Sequence, residues 1–509
     1  MKSIDKISNA KKKKFSSAFT AGFWFTICNV LQRGIQFLAT PIYTRILSTE
    51  EYGMYSLFAT WLNIFTVVAT LSLSNTPYYN GMLKYEGKGN QYTSSIQSLG
   101  SLSTILCAVI FTIIYPLVGD IIGLPYEIFI LMFAIIIVNL AFQFWSMQQR
   151  LKYRYKALVF TTLALSLIIQ VGCIIFALFL NLGYKGIVYG YVVGNLAICS
   201  IFYFRNYIIG RKLYVKEYWS HAISLSVPLI PHYLAQLILA QSDRIMINYY
   251  LGAGKAGIYS LSYQISLIMT LLTNGINSSL TPWMYRCLKE SDYKKIKDVT
   301  GKLIILVSVL SAFVMLIAPE IVVILGTVEY LDAVWIMPPV VFCTCYMFVY
   351  GIWGTVLFFY EKNVVVAVGS CVGAVINVLL NALLIPRFGF IAAAYTTVAG
   401  YVVISLLYYR FSKKVCSENG IQFNELFDMK LSLLVILALI FMMIFSLSLY
   451  KYNACIRYML IIIIYNEPIN SDKKIVDSKL DFTYDFNHER RPSYGKETTH
   501  TGGESPTRA

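Results

Sequence analysis

Arg33, Asp243 and Arg244 are charged residues set inside otherwise apolar stretches. An ionisable side chain at the centre of a bilayer costs about 3 kcal/mol on insertion scales, so it normally faces a bundle interior or a watery cavity. Arg33 has Asn29, Gln32 and Gln36 near it at helical spacings. The stretch 226–261, SVPLIPHYLAQLILAQSDRIMINYYLGAGKAGIYSL, carries Pro228 and Pro231, then His232, Gln236 and Gln241, then the adjacent Asp243 and Arg244. Proline is tolerated in a membrane helix where neighbours satisfy the freed carbonyls, and broken helices gather at transport sites. With Asn277 from the following helix, these amides and arginines suit a hydroxyl-rich substrate that carries an anionic group, because guanidinium binds phosphate oxygens in a bidentate fork. His232 is the candidate for proton coupling. Plainer readings stay open: each isolated amide can be an interhelical hydrogen bond, and Asp243 with Arg244 can be an interfacial pair at a helix end.

The elements that position these residues must be membrane helices. The chain has 509 residues, is 57% hydrophobic and only 13% charged, and has a mean hydropathy of +0.62. Since about 20 apolar residues span a bilayer, roughly fourteen segments qualify, the last of them poor. The expected class is an all-α polytopic membrane protein with about 12–14 transmembrane helices. The first runs over 15–40, the second over 53–74 and the thirteenth over 431–449, with 286–302 expected as a solvated linker. The first apolar run has no small-residue cleavage site and reads as a retained helix. All ten cysteines read as packing residues. No phosphate-cradling glycine loop, acidic metal cluster or catalytic constellation is visible, so no cofactor is expected and an enzyme is disfavoured, while coupling to a proton or sodium gradient stays open.

A formal net charge of +16 raises the question of nucleic acid. The basic residues sit in alternate loops, however, roughly 27 on the side of the N-terminus against about 6 opposite, which membrane orientation explains with a cytoplasmic N-terminus.

An internal repeat organises the helices. Leu47, Gly53, Tyr55, Ser56 and Leu57 recur with identical spacing as Leu251, Gly257, Tyr259, Ser260 and Leu261. Gly183, Tyr184 and Tyr189 are echoed by Gly389, Phe390 and Tyr395 at nearly the same offset. These matches point to a duplicated six-helix unit, hence two pseudo-symmetric lobes around a central cavity, with helices one, two, seven and eight facing each other. The expected division is a basic tail 1–14, an N-lobe 15–205, a linker 206–220, a C-lobe 221–411, accessory helices 412–464 and a polar tail 465–509.

The runs SVPLIPHYLAQLILAQSDRIMINYYLG followed by GIYSL, PIYTRILSTEEYGMYSL, and NVLLNALLIPRFGFIAAAY over 377–395 resemble Wzx-type O-antigen and capsule repeat-unit flippases, in the polysaccharide transporter branch of the MATE-like MOP exporter superfamily. The resemblance spans about 15–450 and implies a bacterial inner-membrane protein that moves an undecaprenyl-pyrophosphate-linked oligosaccharide to the outer leaflet by alternating access. It implies membrane lipids as surroundings, and polymerase and chain-length proteins of the same pathway as candidate partners. Cavity cations then hold the pyrophosphate or acidic sugars: Arg33 matches the polar first helix, and Asp243 with Arg244 the SDR-type motif, whereas Arg45 matches an interfacial anchor. The family's full fourteenth helix has only a short apolar counterpart here, 454–464. Two other classes compete. A MATE-type cation antiporter needs acids deep in the first lobe, which helices one to six lack, and a polysaccharide polymerase needs a large outer loop or paired loop carboxylates.

Overall fold

The computed structural model describes residues 2–451, together with 458–459. All of helix fourteen but 458–459, and the whole tail 465–509, lie outside the described residues. The described chain is helical throughout, without a β-strand, because backbone groups in hydrocarbon must be satisfied within each spanning segment.

The first half runs α1 Lys2–Ile46, α2 Thr49–Ala69, the short α3 Thr76–Lys84, α4 Gly89–Ile122, α5 Tyr126–Leu151, α6 Tyr155–Leu180 and α7 Tyr184–Gly210. The second opens with α8 Lys216–Ser226, a 3₁₀ turn Val227–Leu229 and α9 Ile230–Leu251. Then come α10 Ala253–Lys289, α11 Tyr293–Leu316, α12 Ala318–Leu325, α13 Met337–Phe359, α14 Asn363–Phe388 and α15 Ile391–Glu418, followed by α16 Phe423–Leu426 and α17 Met429–Leu449. Among the described residues, eleven helices are long and apolar enough to cross a membrane, or twelve if the bent pair within α10 is one span. The polar helix α1 stands outside that count; Asn29, Gln32, Arg33 and Gln36 lower its hydropathy.

The structure corrects three expectations. The first helix continues through Pro41 to Ile46. The seventh begins earlier, at Lys216, and stays one span to Leu251: Pro228 falls in the 3₁₀ turn between α8 and α9 and Pro231 in the first turn of α9, where a missing N–H breaks no helical hydrogen bond. The segment 286–302 is not a linker, as α10 and α11 run through it with a turn only between Lys289 and Tyr293.

Helix pairings in the first half recur in the second. α1 packs on α6 as α9 packs on α14; α6 on α7 as α14 on α15; α5 on α7 as α13 on α15. Gly183 and Gly389, before α7 and α15, both hold positive φ, 55° and 77°, which a side chain would oppose. The α6–α7 crossing is close: a Cβ on Gly190 would stand 2.6 Å from both the Gly172 carbonyl oxygen and the Cys173 Cα. Gly190 is flanked by Gly186 and Gly194 on the same face, the small-residue spacing that lets membrane helices approach. Because backbone cannot yield as a side-chain tip can, Gly190→Ala is expected to destabilise the protein by about 1–3 kcal/mol. The check is the melting temperature in detergent, and an unchanged value would show that this close approach is dispensable. The nine cysteines among the described residues are free.

Candidate functional site

A cavity of about 560 Å³ opens where α1, α2, α9 and α10 meet, the four elements expected to face each other. From α1 come Gln32, Arg33, Gln36, Thr40 and Tyr43, the stripe that one face of a helix presents. From α2 come Tyr52, Tyr55, Ser56 and Asn63; from α9, Gln241 and Arg244; from α10, Ser260 and Gln264. Gln170 of α6 and Tyr191 of α7 complete the lining on the first-half side.

The lining is polar, aromatic and cationic. Tyr43 donates its hydroxyl hydrogen to Gln170 Oε1, and its ring lies 5.5 Å from that of Tyr55. Asn63 donates to Gln241 Oε1 at 3.3 Å, bridging α2 and α9. Flat rings carrying hydroxyls present the mixed apolar and polar face that a sugar ring also has. Arg33 and Arg244 are the charged residues among the described lining, one from each half, and no carboxylate stands with them. The Arg244 guanidinium lies over the Tyr263 ring at 4.9 Å, and its Nε is buried without a hydrogen-bond acceptor. A second space of about 340 Å³ adjoins, an apolar slot between Val30, Gly34 and Phe37 of α1 and Ile268, Leu271 and Leu272 of α10. Arg33 borders both spaces.

Of the residues expected in the cavity, Arg33, Gln36, Gln241 and Arg244 are brought together there. Asn29 lies one turn before Arg33, exposed and beyond the lining. Gln236 is exposed and pairs with His232 Nε2 at 3.3 Å along α9. His232 lies half-buried outside the cavity, and its Nδ1 has no partner. Asn277 is half-buried on α10, also away from the lining.

Asp243 is the clearest correction. It neither lines the cavity nor pairs with Arg244, but is fully buried against α14 and α15. Its Oδ1 accepts from Asn381 Nδ2 at 2.6 Å; its Oδ2 accepts from the Tyr259 hydroxyl at 2.5 Å and from Thr397 Oγ1 at 2.8 Å. Asn381 also donates to Asn377 Oδ1 at 3.2 Å, and Asn377 donates to Thr397 Oγ1 at 3.2 Å. Adjacent residues on a helix point about 100° apart, so one can face the cavity and the next the interior of the second half. Asn377 and Asn381, an i,i+4 pair on an apolar helix, were the available signal for this network. Gln170, a single amide in the apolar run of α6, was the signal for the far lining.

The described residues form an all-helical, multi-pass membrane protein with a cavity between two pseudo-symmetric halves, and this fold is the one seen in solved MOP-superfamily structures. The structure of the "Lipid II flippase MurJ, inward closed conformation" superposes with a TM-score of 0.65 at 14% identity, covering 87% of this chain and 96% of that one. An inward-facing multidrug resistance MATE family transporter of the MOP superfamily superposes with a TM-score of 0.56 at 14% identity, covering 76% and 95%. The chain belongs to the polysaccharide biosynthesis protein family, whose model matches residues 20–288. In sequence it is similar to Lsg locus putative protein 1 of Haemophilus influenzae, 24% identical over 399 residues, 74% of this chain and 94% of that protein.

Proposed function

We propose that the chain is a flippase that carries an undecaprenyl-pyrophosphate-linked oligosaccharide, a repeat unit for O-antigen or capsule, from the cytoplasmic to the outer leaflet of the bacterial inner membrane. The observation that carries this reading is the place of Arg33 between a polar, tyrosine-lined cavity and an apolar slot. A lipid-linked sugar has these parts in this order: glycan, phosphate, hydrocarbon. The glycan lies among the tyrosines and amides, the phosphate meets Arg33, and the lipid leaves between α1 and α10. Membership of the polysaccharide biosynthesis family supports the glycan, and the likeness of fold to a lipid flippase supports the lipid.

Transport follows from the two halves, lobes 15–205 and 221–411, rocking about the cavity so that it opens to alternate sides. The N-terminus lies in the cytoplasm, as the charge bias of the loops supports. The substrate is received from the enzymes that assemble it and released to polymerase and chain-length proteins. Coupling is assigned to the Asp243 network. A fully buried carboxylate is costly unless it is neutralised, and its hydrogen-bond partners there are the hydroxyls of Tyr259 and Thr397 and the amide of Asn381. A proton or a sodium ion would complete it, and the oxygens of Asp243, Asn377 and Thr397 are of the kind a small hard cation takes. His232, half-buried outside the cavity, has no comparable network.

An exporter of cationic drugs would need acids in the cavity, where the described lining carries two arginines. The decisive experiment follows the lipid-linked repeat unit in a strain lacking the protein. Complete units should accumulate on the cytoplasmic leaflet while surface glycan is lost. Complete units on the outer leaflet would favour a polymerase, and an unchanged pool with unchanged surface glycan would favour an antiporter.

A further inference from the structure

The two copies of the repeated motif touch each other. Gly53 of α2 and Gly257 of α10 hold equivalent positions, and their helices cross there at backbone contact. A Cβ on Gly53 would stand 1.9 Å from the Ala253 carbonyl oxygen, and one on Gly257 would stand 2.2 Å from that of Thr49. One turn further along, the equivalent serines meet, Ser56 Oγ donating to Ser260 Oγ at 2.6 Å. Both serines border the cavity.

Further contacts join the halves at this end, as α8 packing on α3 and α4 joins them at the other. Thr44 Oγ1 donates to the Leu325 carbonyl at 2.6 Å, and Arg45 donates to that of Ile324 at 3.2 Å. The ring of Tyr52 meets that of Tyr330 edge-on at 5.9 Å. Each of these joins the end of α1 or the start of α2 to the second half. Tyr259 adds a link of another kind, since it donates to Asp243 from the same turn of α10 that carries Ser260.

We propose that the crossing at Gly53 and Gly257, locked by Ser56 and Ser260, is the outer seal of the cavity and parts once in each transport cycle. The inference rests on the transporter reading but not on the identity of the cargo. Glycine at both positions lets the helices close to backbone contact and exclude water without interlocking side chains. Separation breaks the Ser56–Ser260 pair together with the bonds of Thr44 and Arg45 and the Tyr52–Tyr330 contact, so the closed seal is held by several weak links that part together. Each half keeps its own helix pairings while the seal parts.

A disulfide across the seal tests this in the full-length protein. Ser56→Cys/Ser260→Cys, oxidised in membranes, should form the 56–260 cross-link, identified by peptide mass. Export by the cross-linked protein should fall at least tenfold relative to the same protein after reduction. Undiminished export by the cross-linked form would overturn the proposal, as would failure of the cross-link to form. A second variant reads the seal without any substrate. Gly53→Ala, combined with Ser260→Cys, should raise labelling of that cysteine by an impermeant maleimide added outside intact cells at least fivefold over Ser260→Cys alone. Unchanged labelling would show that this crossing does not seal the cavity. Should labelling rise while repeat units never depended on the protein, the seal would stand and the flippase reading would fail.

Discussion

Arg33→Ala is expected to lower export of lipid-linked repeat units about ten- to hundredfold without lowering the amount of folded protein. Its guanidinium has no hydrogen bond or ion pair among the described residues, so the protein loses little when it is removed. The substrate loses charge-assisted hydrogen bonds to phosphate, each worth about 1.5–3 kcal/mol, and about 1.4 kcal/mol is a factor of ten. Arg33→Lys should recover only part of the rate, because an ammonium is a point charge and cannot offer the paired N–H groups of a guanidinium. Arg244→Ala should act in the same direction through the other half of the cavity, where a buried, unpaired Nε waits for an acceptor. Surface glycan and protein level measured together provide the check. Normal surface glycan in both alanine variants would show that the arginines are structural and that the phosphate contact does not exist.

The second large effect is expected at Asp243, where charge and stability separate. Asp243→Ala removes the acceptor for Tyr259, Asn381 and Thr397, all buried. A buried donor left without a partner costs about 1–3 kcal/mol. Part of this is recovered, since Thr397 also donates to the Ala393 carbonyl at 2.9 Å and Asn381 to Asn377. A net loss of about 3 kcal/mol is therefore expected, read as a lower melting temperature in detergent. Asp243→Asn keeps the shape and one carbonyl acceptor, and should stay within about 1 kcal/mol of the natural protein. It removes the charge that a proton or cation must neutralise, so export should no longer respond to an imposed sodium or proton gradient. If the Asn variant exports at the natural rate with its gradient dependence intact, coupling does not pass through Asp243.

These two sites also show what could be read from one dimension. The placement of Arg33, Gln36, Gln241 and Arg244 around a cavity was legible, because polar residues inside apolar runs must face something other than lipid. The repeat was legible too, and Gly53 and Gly257 proved to be the residues at which its two copies meet. The triplet Gly186, Gly190 and Gly194 carried a packing signal of the same kind, and so did Asn377 with Asn381. The tyrosines of the lining carried none, for the chain has 39 tyrosines and the sequence does not mark those of α1, α2 and α7.

By itself the sequence determined the class, the approximate number of helices and the duplicated plan. Each follows from local hydropathy or from spacing along the chain, and both survive whatever the helices pack against. Only the tertiary structure decided which way each polar face turns. Asp243 and Arg244 are neighbours in the chain, yet one is enclosed by Asn381, Thr397 and Tyr259 while the other looks into the cavity beside Tyr263. Hydropathy places both at the same depth of the same helix. Their different tasks come from the helix's turn of about 100° per residue and from partners, α14 and α15, that arrive more than a hundred residues later.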